Sequence, residues 1–127
     1  MTIKKTLFLL GNIFSLYREN QQSITCFLKL RDVAEEEEDL LSTMEAYRSL
    51  GQCYHHMRRH ELARVCFKKM LENAWIGSSF EGEMEAYEAL SVQYYYLCML
   101  DKSLYYHDRS LRGKSEPKNS PTYLMVM

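Results

Sequence analysis

Apolar residues in the middle of this chain recur at alternating spacings of three and four. Tyr47, Leu50, Gly51, Tyr54 and Met57 fall on one face of a helix. A polar stretch follows, with no apolar residue from Arg58 to Glu61. The spacing then resumes through Leu62, Ala63, Cys66, Phe67, Met70 and Leu71. Two amphipathic helices around a tight turn make an antiparallel hairpin. Gly51 would cost about 1 kcal/mol of helix propensity relative to alanine, so it is sensible only where another backbone comes close. Ala63 is placed where the second helix crosses the first.

The pattern is a repeat. Sliding the chain along itself until Leu10 meets Leu50 also brings Leu50 onto Leu90. The same shift aligns Gly11, Gly51 and Ser91, then Phe14, Tyr54 and Tyr94. After the turn, Ser23, Ala63 and Ser103 coincide, as do Phe27, Phe67 and His107. The tetrapeptide MEAY occurs at 44–47 and again at 84–87. The chain is therefore expected to be all-α: an α-solenoid of three stacked helical hairpins over residues 3–113, with repeats at about 3–38, 39–78 and 79–113 and an irregular tail at 114–127. Turns are expected at YRENQQ, HMRRHE and CMLDKS, with Asp101 as an N-cap in the last. Between blocks, Gly77 reads as a helix stop, and Ser78 with Glu81 as a capping box. The acidic run 35–39 is placed mostly at the start of the second block, where a helix N-terminus favours it, with Ser42 and Glu45 as a competing box.

This order of residues resembles the tetratricopeptide repeat. It is a long-period variant, because the interval from Leu10 to Leu50 exceeds the usual repeat of about 34 residues. The family's aromatic, Leu-Gly, aromatic, then Ala and Phe signature reads Tyr47, Leu50, Gly51, Tyr54, Ala63 and Phe67 in the second block. The outer blocks match more loosely, through Leu7, Leu10, Gly11, Phe14, Ser23 and Phe27, and through Tyr87, Leu90, Ser91, Tyr94, Ser103 and His107. The resemblance implies a right-handed superhelix whose first helices line a groove for a partner. Groove positions map to Phe8, Asn12 and Ser15; to Arg48, Gln52, His55 and His56; and to Glu88, Val92, Tyr95 and Tyr96. The partner-binding set is taken as Asn12, Arg48, Gln52, His55, His56, Glu88, Val92, Tyr95 and Tyr96, because aromatics and Arg most often anchor interfaces. A clamp for a terminal carboxylate is not expected, since Phe8 and Gln52 stand where its Lys and second Asn would be.

Composition narrows the function further. The 127 residues are 46% hydrophobic, enough for a core, and the net charge of −1 argues against nucleic-acid binding. Four cysteines without a CxxC pair read as reduced thiols. The apolar run Leu7–Leu10 is cut by Gly11 and Asn12, and no stretch is long enough for a membrane span. His56 and His60 lie one helical turn apart, but a turn between them spoils a metal site. No cofactor, metal or catalytic residue is expected, so the chain reads as a non-enzymatic cytoplasmic scaffold binding a protein or peptide. The alternative is a structural subunit of a cytoskeletal, ciliary or axonemal assembly. The third repeat, expected to end uncapped, and the apolar tail run Tyr123–Met127 leave self-association open.

Overall fold

The structure, a computed structural model, describes residues 2–115. Six helices follow in order: α1 (Ile3–Leu16), α2 (Asn20–Glu36), α3 (Leu40–His56), α4 (His60–Ile76), α5 (Phe80–Tyr96) and α6 (Leu100–Ser115). They pair as three antiparallel hairpins, and α2 packs on α3 as α4 packs on α5. The first helices α1, α3 and α5 also touch in sequence, so they form one layer. Helix α6 runs past the expected boundary at 113. The rest of the expected irregular tail, with Tyr123–Met127, lies outside the described residues.

One turn, used five times, sets the geometry. Arg18, Glu38, Arg58, Ser78 and Cys98 have left-handed backbone, with φ between 52° and 61°, and recur at equal intervals along the chain. At each, the amide of the following residue reaches back over more than a full turn to close the helix. Glu19 N–H donates to the Phe14 carbonyl at 2.8 Å, and Arg59 N–H to that of Tyr54 at 2.8 Å. The same bond joins Asp39 to Ala34, Ser79 to Ala74 and Met99 to Tyr94. This pattern satisfies carbonyls that a helix end leaves orphaned. The cadence corrects several expected boundaries. Gly77 is the C-cap, but its φ is −87°, and the left-handed residue is Ser78. The cap of α5 is therefore Ser79, whose Oγ accepts from Gly82 N–H at 3.1 Å, in place of the Ser78–Glu81 box. Asp101 sits inside the first turn of α6 and does not precede it. The acidic run straddles a turn: Glu35 and Glu36 end α2, and Asp39 caps α3.

Asp39 also joins two hairpins. Its carboxylate accepts from Ser42 N–H at 3.1 Å and Ser42 Oγ at 2.8 Å. Lys4 of α1 donates to it at 2.6 Å and pairs with Glu37 at 2.9 Å. Lys4, followed by the Ser42 hydroxyl and amide, holds the Asp39 carboxyl at a pKa of about 2, below its ordinary 3.8.

Within each hairpin the helices cross at small residues. Ser23 Oγ donates to the Gly11 carbonyl at 2.8 Å, and Ser103 Oγ to the Ser91 carbonyl at 2.8 Å. The space left by the missing side chain of Gly51 is filled by a ring. A Cβ there would lie 2.6 Å from Phe67, and one on Gly11 would lie 2.5 Å from Phe27. The close neighbour of each glycine is thus a phenylalanine of the second helix; a backbone had been expected. The third hairpin changes both members. Ser91 replaces glycine, and an exposed His107 replaces phenylalanine. The Ser91 hydroxyl then donates to the Ser103 carbonyl at 2.9 Å.

Two substitutions test this packing. Gly51→Ala is expected to cost about 1–3 kcal/mol by overpacking a buried ring, measured by urea unfolding; unchanged stability contradicts the contact. Ser78→Gly is expected to stabilise by about 0.5–1 kcal/mol in the same assay, because the left-handed penalty of about 1–2 kcal/mol outweighs the entropy glycine adds to the unfolded chain. A loss of stability there contradicts the left-handed turn.

Candidate interaction groove

The first-helix layer presents a cleft between α3 and α5. It encloses about 300 Å³ and has an apolar floor of Phe67, Met70, Ala89 and Val92. Arg48, Gln52, His55, Glu85, Glu88 and Gln93 form its polar rim. These side chains converge because positions 48, 52 and 55 share one face of α3, and 85, 88, 89 and 92 share one face of α5. Phe67 and Met70 reach the cleft from α4 behind.

Five expected groove residues, Arg48, Gln52, His55, Glu88 and Val92, meet in this cleft. His56 and Tyr96 border a smaller depression with His55, Arg58 and His60. Tyr95 is exposed and packs edge-on against Tyr96, with ring centroids 5.5 Å apart. Asn12 lies on α1, half-buried, away from the cleft lining. Of the three consecutive tyrosines, Tyr94 is buried and the other two are exposed.

The rim charges are already engaged within the fold. Arg48 Nη1 pairs with Glu85 Oε1 at 3.1 Å, from α3 to α5. Glu88 accepts from Ser110 Oγ at 3.2 Å and from Lys114, both on α6. The cleft therefore offers an apolar floor and hydrogen-bonding walls and carries no excess of one charge.

Gln93 was not expected among the functional residues, yet it links three helices. It is buried, and its Nε2 donates to His55 Nδ1 at 3.1 Å. His60 Nδ1 lies 2.7 Å from Gln93 Oε1 and donates to it in the matching tautomer. The His60 ring stacks on Tyr96, with centroids 4.5 Å apart. One amide has one acceptor and one donor group, so it serves one imidazolium at a time. If both histidines were charged, an N–H would face the amide's own donors. Burial, then the nearby His60 and His56, hold the His55 pKa below its ordinary 6.5. The sequence carried a signal for this residue: Gln93 occupies the repeat position of buried Cys53, and a polar residue in that register needs partners.

At the opposite end of α5, Glu83 is fully buried in the first turn. Its Oε2 accepts from Tyr87 Oη at 2.8 Å, and Tyr87 in turn accepts from Arg109 at 3.1 Å. Arg109 also lies 5.1 Å over the Tyr87 ring. These contacts fasten α6 to α5.

A tetratricopeptide-repeat family model matches residues 5–74. Among solved structures, the crystal structure of the TPR domain of Arabidopsis FLU is similar to this chain. The TM-score is 0.83 at 22% identity, over 90% of this chain and 97% of that one. No curated protein matches the sequence. Among the described residues, no helix is long and apolar enough to cross a membrane, and no group of three or more His, Cys, Asp or Glu is placed to hold a metal ion.

The histidine pair gives a pH prediction. His55 has a folded pKa below 6.5, so its contribution to stability is complete above 6.5. As the pH falls the unfolded chain takes up the proton first, and that contribution is lost through the folded pKa. An NMR titration is expected to place the His55 midpoint below 6.5; a midpoint at or above it contradicts the burial of the ring.

Proposed function

Because the chain belongs to the tetratricopeptide-repeat family, a family of protein-interaction modules, we propose that it is a scaffold whose α3–α5 cleft takes a peptide segment of a partner protein. The observation that carries this reading is the apolar cleft floor, in which exposed Val92 and half-buried Ala89 lie against the buried Phe67 and Met70, ringed by hydrogen-bonding side chains. Stacked hairpins present such surfaces by construction. Arg48, Gln52, His55, Glu88 and Val92 are the expected contacts. His56, Tyr95 and Tyr96 extend the surface beyond the floor.

The chemistry favours one kind of ligand. Arg48 and Glu85 neutralise each other, and Glu88 is held by α6. A strongly charged peptide end finds no free counter-charge there. A segment with one apolar anchor fits better, its side chain on the floor and its polar groups bonded to Gln52 and the His55 ring.

Peptides selected from a displayed random library against the full chain supply the test. Ala89→Arg fills the cleft and is expected to weaken their binding by about tenfold or more, about 1.4 kcal/mol, with helix content retained. Val65→Arg, on an exposed part of α4, is expected to leave binding intact. Selected peptides that bind Ala89→Arg as tightly as the unmodified chain contradict the assignment.

A further inference from the structure

A separate surface lies on α1, away from the cleft. Ile3, Thr6, Leu10, Ile13 and Tyr17 follow the alternating three-and-four spacing of a coiled-coil seam, and all five are exposed. The repeat shows what this strip is. Leu10 is 41% exposed, but its equivalents Leu50 and Leu90 are 1% and 0%. Ile13 is 48% exposed, but Cys53 and Gln93 are 3% and 2%. Thr6 is exposed where Ala46 and Ala86 are sealed. On α3 and α5 the preceding hairpin packs against this side of the helix. The α1 seam is thus the counterpart of the repeat's own inter-hairpin interface, and among the described residues it stays exposed.

We propose that a second copy of this chain covers the seam, α1 against α1, antiparallel about a two-fold axis. Three observations select that occupant. First, the strip carries no charge, so laying it on its own image buries no like charges. Second, the antiparallel register sets Leu10 opposite Ile13 and small Thr6 opposite large Tyr17, and opposes the helix dipoles. A parallel register would stack Tyr17 on Tyr17 and Thr6 on Thr6. Third, α6 of another copy is unsuited to continue the stack. Leu104 and Leu111 keep exposed apolar groups there, but Lys114 stands where α2 and α4 carry the sealed alanines Ala34 and Ala74, and His107 where they carry Phe27 and Phe67, so stacking would have to seal a charged and a polar group. A closed, isologous dimer follows, and an open filament does not.

Sedimentation equilibrium of the full chain from about 1 μM to 1 mM, the range of modest affinities, tests this. A monomer–dimer equilibrium is expected. Leu10→Glu with Ile13→Glu is expected to give a monomer of unchanged helix content. Tyr17→Lys, at the helix C-cap and outside the core, is expected to weaken the dimer without any effect on folding. Leu104→Glu, on the exposed side of α6, is expected to leave the dimer intact. A chain that stays monomeric throughout overturns the proposal. So does a dimer lost in Leu104→Glu, which would mean head-to-tail contact, or one lost in Leu124→Glu, which would assign the seam to the chain end.

Discussion

Every helix-to-helix step in this fold rests on a left-handed residue at a fixed interval. Positions 18, 38, 58, 78 and 98 turn the chain after helices of nearly equal length. None of the five is glycine, so each carries a steric cost. What sustains them is the packing on either side: the ring of Phe67 beside Gly51, the hydroxyl of Ser23 on the Gly11 carbonyl, and Lys4 on Asp39. Because turns within and between hairpins share one geometry, α1, α3 and α5 fall into one layer. The cleft is a consequence of that layer.

The fold was legible because burial imposes a period. Leu50 and Leu90, or Phe27 and Phe67, repeat since each fills the same niche in successive hairpins. Turn chemistry was less legible. A left-handed Arg, Glu, Ser or Cys gives no local signal, and the one glycine nearby, Gly77, drew the boundary a residue too early. That single step moved the cap from Ser79 to Ser78 and the capped amide away from Gly82. Asp101 was misplaced for the same reason, since α6 starts at Leu100.

The cleft was half legible. Spacing on one helix face brings Arg48, Gln52 and His55 together, and Glu88 with Val92, with no need of coordinates. It does not show that Phe67 and Met70 of α4 reach the floor, because the same two residues also complete the core. Nor does it show that His60 begins its helix and so meets Gln93 beside His55. Asn12 failed as a cleft residue because the cleft forms between the second and third hairpins, and α1 lies beyond it. Divergence among repeats is informative in the same way. Where the third hairpin gives up the glycine and phenylalanine pair, a serine hydroxyl bond takes over the crossing.

Backbone chemical shifts with amide–Hα couplings measure the regular left-handed turn directly in solution. Left-handed dihedrals are expected at Arg18, Glu38, Arg58, Ser78 and Cys98, each flanked by helix. Helical or extended values at any of the five would break the even cadence and with it the shared layer that forms the cleft.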